Sequence, residues 1–256
     1  MKYKYLSLGI NSIKHYKMKP THLLTGLFLC LTMFVCTINS RAQTHKIAIV
    51  SVADTTFIHQ HVGLTIFTNF TDTLPINFSI VNHLEKRLQA YLNPGYSVKV
   101  VQLPDSVLRA KNGFFNQART KKIKQWIKNS KDLYDFVIVI DNMELAENYR
   151  PMRNNTSGVF SRISYFSYYS TISFFGYRTS SLKPLDYYHQ GGEFTSHIEN
   201  FKLPEDKRSF TPEMMTVIYD GFKRYLDKRV EYFLAKSYLL PQDKIDAIKA
   251  DNGNAK

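Results

Sequence analysis

Cysteine, tryptophan and glycine are all scarce in this chain, whose 256 residues include 2 Cys, 1 Trp and 11 Gly. Both cysteines, Cys30 and Cys36, fall within the first 42 residues, a segment that reads as removable. A chain without it has no thiol, which excludes disulfides, cysteine-ligated zinc and thiol nucleophiles. No phosphate loop, Gly-x-Gly-x-x-Gly turn, Gly-x-Ser-x-Gly elbow or His-Glu-x-x-His pair is present. Ser180-Ser181-Leu182-Lys183 matches Ser-x-x-Lys, but its companion elements are missing and Pro184 follows at once, so the match is read as chance. Internal repeats and low-complexity tracts are also lacking.

The removable segment has three parts. Met18-Lys19-Pro20 supplies a cationic start, an apolar run extends from Leu23 to Cys36, and Ser40-Arg41-Ala42 places small residues at −3 and −1. This is the pattern of a secretory signal peptide. The run is shorter than the roughly 20 residues that a membrane-spanning helix requires. Bulky Leu29 and Val35 precede the two cysteines, which argues against a lipid anchor. Residues 1–42 are therefore expected to be removed, with Met1 or Met18 as the start and Gln43 as the first residue of an exported protein. The segment carries six basic residues and no acidic one; taking six from 34 leaves 28 basic against 21 acidic. The net charge thus falls from +13 to +7 on removal.

What remains suits one α/β domain over residues 43–240 with a polar tail at 241–256, its end expected to be frayed from Asp246 onward. Lys46 to Ala53 is a β-branched apolar run and predicts a buried strand. Residues 57–78 mix aromatics with Thr, Asn and His and are expected to form a long, partly packed loop. Ile80, Val81, Leu84, Leu88 and Leu92 recur at helical spacing before the Asn93-Pro94-Gly95 stop. A strand over 96–103, a helix over 116–130 and a strand over 134–140 follow. This alternation predicts a mixed sheet with a parallel βαβαβ core. Beyond it come an aromatic-rich segment, a hairpin over 182–201 turning at Gly191-Gly192, and a long C-terminal helix. That helix is capped by Thr211, with Pro212 at its first position.

Four features could carry function. Asp54 and Asp141 each follow an apolar strand, so a parallel sheet would set both at its carboxyl edge, where open α/β folds bind ligands. They could share a divalent cation with Asn142, which would make the protein a metal-dependent hydrolase. Asp and Asn also end strands because they favour turns, and that plainer role is the expected one. His59 and His61 share one side of an extended segment, but two ligands fall short of a metal site. Exposure to solvent or packing within the loop is expected of them instead, and no cofactor is expected.

The stretch from Arg109 to Lys131 holds eight basic residues and no acidic one. Arg119, Lys121, Lys122, Lys124 and Lys128 surround Trp126 on the expected helix. Such a surface suits an envelope protein, anionic lipid headgroups or an acidic glycan, whereas export points away from nucleic acid. Lysines also line the outer faces of ordinary covering helices.

From Phe160 to Tyr188, aromatic and apolar residues fall on both phases of alternation. Burial beneath a covering element, the C-terminal helix, is the expected arrangement. Asp72-Thr73-Leu74 and Asp105-Ser106-Val107 resemble a short bacterial O-glycosylation signal. The order of elements resembles that of small periplasmic α/β domains in envelope-assembly proteins, a likeness of layout that transfers no residues. The expectation is an exported, non-catalytic binding or assembly module of the bacterial envelope, periplasmic, outer-membrane-associated or fully secreted.

Overall fold

A computed structural model of the chain describes residues 44–110, 117–143, 155–162, 165–185, 195–198, 201–206 and 208–253. The expected signal segment, both cysteines, Lys111, Tyr187, Tyr188 and the Gly191-Gly192 turn lie outside the described residues.

The parallel core forms as its sequence pattern predicts. Strand β1 (Lys46–Ser51) lies between β4 (Ser97–Val100) and β5 (Phe136–Asn142), parallel to both, and β8 (Ile172–Arg178) closes the sheet antiparallel to β5. Ile47, Ala48, Ile49 and Val50 are fully buried, as a central strand covered on both faces requires. On one face Ile47, Ile49 and Ile138 meet helix α1 (Ile80–Leu92), which turns Leu84, Leu88 and Leu92 inward, and helix α4 (Pro212–Lys236). On the other, Ala48, Val50, Val137 and Val139 pack under Ile123 and Ile127 of helix α3 (Ala118–Asn129) and Val107 of the short helix α2 (Asp105–Leu108). The helix ends follow their capping residues. Ser79 accepts the amide of Asn82 at 3.2 Å, and Thr211 accepts that of Met214 at 3.3 Å.

A second mixed sheet departs from expectation. Residues read as a long loop instead form β2 (Thr56–Val62), a 3₁₀ turn (Ile66–Thr68) and β3 (Phe70–Thr73). Strand β2 runs parallel to β6 (Thr156–Arg162), which pairs with β7 (Tyr165–Ser170) and, through it, with β9 (Thr195–His197), giving the order β3-β2-β6-β7-β9. The sequence hid β2 because its polar residues His59, Gln60 and His61 are all buried, which erases the usual alternation. The described ends of the hairpin expected over 182–201 do not pair with each other. Pro184 bridges to Tyr177 of β8, while β9 joins β7 in the other sheet.

The aromatic segment is buried on both phases, as expected. Tyr168 contacts Phe222 and Tyr225 of α4, and Phe174 stacks on Phe233 at 5.2 Å. Tyr169 points to the opposite face, fully buried, with its hydroxyl 3.1 Å from Thr156 Oγ1. Strands β7 and β8 are separated only by Thr171, so one nearly continuous strand crosses from the second sheet into the first. Arg229 of α4 is 4% exposed and clamps this crossing. It donates to the carbonyl of Ser170 at 3.0 Å and to that of Ile172. Where a frayed tail was expected, Gln242–Gly253 forms helix α5, with Ile245 buried in the main core.

Gly158 in β6 sits at φ 143°, and a Cβ there would lie 2.0 Å from the carbonyl oxygen of Ile58 on β2. Gly158→Ala is expected to destabilise the fold by about 2 kcal/mol or more, through both backbone strain and forced separation of the strands. Urea unfolding compared with wild type checks this; an unchanged midpoint would contradict it.

Candidate functional site

Helix α3 owes its position to two isoleucines. Ile123 and Ile127 are buried against β1 and β5, and Trp126 is half-buried at the edge of the same cluster. The turn of about 3.6 residues then sets Lys121, Lys124 and Lys128 on exposed positions, together with Lys122. Lys122 Nζ donates to the carbonyl of Ser106 at 2.8 Å, tying α3 to α2. Among the described residues none of these four lysines forms an ion pair with a carboxylate. Arg109, at the start of the basic stretch, is paired with Asp105 at 2.9 Å. Trp126 therefore presents one edge to solvent beside a cationic face, while its body packs on the sheet.

Arg119 has a different role from the lysines. It turns inward at the first turn of α3, and its Nη2 lies 2.8 Å from Oδ1 of Asp141, a pair with little exposure on either side. The same Asp141 oxygen accepts the amide of Asn142 at 2.7 Å. Burial pushes the Asp141 carboxyl above its ordinary range, outweighing the opposing pull of the Arg119 guanidinium and the Asn142 amide. Asp54 is exposed, and its backbone carbonyl accepts Asn142 Nδ2 at 2.7 Å. Asn142 thus serves as a splint between the ends of β1 and β5. At the carboxyl edge of the first sheet the chain runs from β1 directly into β2. Among the described residues no three His, Cys, Asp or Glu side chains gather as a cation cage.

His59 and His61 do share a face, but on a buried strand rather than in a loop. His59 Nε2 and His61 Nδ1 lie 2.7 and 2.8 Å from the same hydroxyl, Ser161 Oγ on β6. Phe70, Phe166 and Phe210 surround the His59 ring at 5.1 to 6.1 Å, and the His61 ring stacks on Phe70. Burial, then the neighbouring His61 and Arg208, lower the His59 pKa to about 4, so the ring is neutral at pH 7. A hydroxyl between two imidazoles has the parts of an activated nucleophile. Here Ser161 and His59 have no solvent exposure and His61 has 2%, so the three side chains are closed off from bulk water. The trio is a polar staple between β2 and β6.

Two further features were not legible in advance. A cavity of about 310 Å³ opens among α1, α4 and α5, lined by Tyr91, Lys228, Glu231, Leu240, Lys244 and Ile248. The Tyr91 hydroxyl donates to Glu231, and burial with that bond pushes its pKa up to about 12. Its wall depends on α5, the segment expected to be frayed. The other is the loop joining β2 to β3, where Leu64, Ile66 and Phe67 are 82%, 77% and 91% exposed. The available signal was a run of nine residues without charge, Gly63 to Thr71. Of the two glycosylation-like triplets, Thr73 and Ser106 both lie on exposed positions.

No protein-family model matches this chain, and no curated protein matches its sequence. Within the described residues no helix is long and apolar enough to cross a membrane.

Proposed function

We propose that this chain is an exported, non-catalytic binding or assembly module of the bacterial envelope, acting in the periplasm or at an envelope surface through helix α3. The observation that carries the reading is the set Lys121, Lys122, Lys124 and Lys128, exposed and without carboxylate partners among the described residues, on a helix locked by Ile123 and Ile127. A rigid cationic face beside a half-exposed indole suits an anionic partner surface, whether an acidic protein patch, a lipid headgroup or a glycan. Arg119 supports that face from within, through Asp141, rather than contacting the partner itself. The alternative of a divalent-metal hydrolase has less behind it: Asp141 is engaged by Arg119 and a backbone amide, and Asp54 reaches the site through its carbonyl.

The test reverses the charge. A Lys121→Glu, Lys122→Glu, Lys124→Glu variant of the tagged protein, crosslinked in its native cells, is expected to lose the envelope partners that wild type recovers. Unchanged recovery would remove α3 as the contact surface. Mass analysis of the same material is expected to place the first residue at Gln43.

A further inference from the structure

The loop from Gly63 to Asn69 closes part of its backbone on itself while turning its apolar side chains outward. The amide of Gly63 donates to Asn69 Oδ1 at 2.9 Å, that of Thr65 to Thr68 Oγ1 at 3.3 Å, that of Thr68 to the Thr65 carbonyl at 3.1 Å, and that of Asn69 to the Ile66 carbonyl at 3.4 Å. The Thr68 hydroxyl donates in turn to the Thr65 carbonyl at 2.8 Å. The closure is tight: a Cβ on Gly63 would lie 1.9 Å from Thr68 Oγ1. Leu64, Ile66 and Phe67 are left standing in solvent, none of them packed on the core.

Water does not favour such a tip, because ordering it exposes three large apolar side chains with no compensating burial. A lipid layer favours each of its features. Backbone groups entering the acyl boundary have to find partners within the protein, and here the amides of Gly63, Thr65, Thr68 and Asn69 do. Charge is excluded there, and Gly63 to Thr71 carries none. At the level just behind, Val62 pairs with Arg162 and Arg162 with Tyr165, both exposed. A guanidinium for phosphate and a tyrosine for the interface are the residues that flank inserted segments. A protein-binding tip would be expected to offer free polar groups at its rim for specific pairing, whereas Thr68 Oγ1 and Asn69 Oδ1 are engaged by the loop's own backbone.

We infer that the β2–β3 loop is a lipid-inserting tip, which places Leu64, Ile66 and Phe67 in the headgroup and acyl boundary of a bilayer with Arg162 and Tyr165 at the phosphate level. This contact does not depend on α3; it is carried by a different surface.

The test uses the single native tryptophan as an internal reference. Phe67→Trp adds a second indole at the tip, and both proteins are mixed with vesicles of phosphatidylcholine, or of phosphatidylethanolamine with phosphatidylglycerol, carrying acyl-chain bromines. Phe67→Trp is expected to show quenching well above that of wild type, whose only tryptophan is Trp126. Adding Leu64→Asp and Ile66→Asp is expected to abolish the excess and to weaken vesicle partition about ten- to a hundred-fold for each apolar side chain lost. These positions are solvent-exposed, so circular dichroism is expected to be unchanged. No excess quenching on either vesicle would overturn the inference and leave the tip to a protein partner. Excess quenching that survives the Asp substitutions would also overturn it, by showing that another segment holds the protein to lipid.

Discussion

Lowering the pH from 7 to 4 is expected to remove on the order of 3 kcal/mol of folding stability through His59 alone. The ring titrates near 6.5 in the unfolded chain and near 4 in the folded one. Between those values the unfolded state binds a proton that the native state refuses. His59 therefore contributes fully above about pH 6.5, and its contribution drains away as pH falls toward 4. Below that both states are protonated and this group adds no further slope. Burial is the main cause, with His61 and Arg208 reinforcing it. The groups facing the ring are Ser161, His61, Phe70, Phe166 and Phe210, with Asp72 opposite on β3 and Arg208 held to Asp72 at 3.4 Å. Urea unfolding of wild type and His59→Gln at intervals from pH 7 to pH 4 measures the effect. The wild-type curve is expected to fall more steeply than the variant's over that window. Parallel curves would mean that the His59–Ser161 staple opens to water before the ring is protonated.

The second large effect is expected at Arg229. Among the described residues no carboxylate pairs with its buried guanidinium, which donates to the carbonyls of Ser170 and Ile172, on either side of the point where the β7–β8 strand changes sheets. Its carbon also lies 5.7 Å over the ring of Tyr225. Desolvating the cation costs stability, and carbonyls bent away from the ladder would cost more if left unpaired. Arg229→Ala removes the guanidinium from both carbonyls and opens a cavity between α4 and the crossing, so a loss of about 3–5 kcal/mol is expected. Hydrogen exchange should show the loss first at Ser170 to Ile172 and then in α4. A change below about 1 kcal/mol would mean that water replaces the guanidinium at no cost.

What the sequence revealed tracks how well local pattern matched burial. The strand at Ile47 to Val50 and the helix with Leu84, Leu88 and Leu92 were readable because apolar side chains alone fill their buried positions. Thr211 and Pro212 marked the start of α4 through chemistry that needs no tertiary context. Strand β2 was not readable, because His59, Gln60 and His61 go inside only where Ser161, about 100 residues away, and the phenylalanines already wait. Helix α5 escaped for a similar reason: Ile245, with Ile248 partly buried beside it, anchors a polar stretch, and their value depends on the core beneath them. The same limit held for the site. Charge density picked out α3, but nothing local distinguished Arg119, drawn inward to Asp141, from the lysines beside it. The exposed tip at Leu64, Ile66 and Phe67 had the opposite problem, since apolar residues in a presumed loop read as buried until the structure shows them outside.

Two of the three parallel pairings, β1 with β5 and β2 with β6, join segments that are far apart along the chain. Lys46 of β1 reaches Asp135, 89 residues on, and His61 of β2 reaches Ser161, 100 residues on. Neither sheet can close until most of the polypeptide has been made and its long intervening loops have been drawn together, which places this topology among slow folders. Under the export proposed above, that delay would keep the chain unfolded for its passage across a membrane.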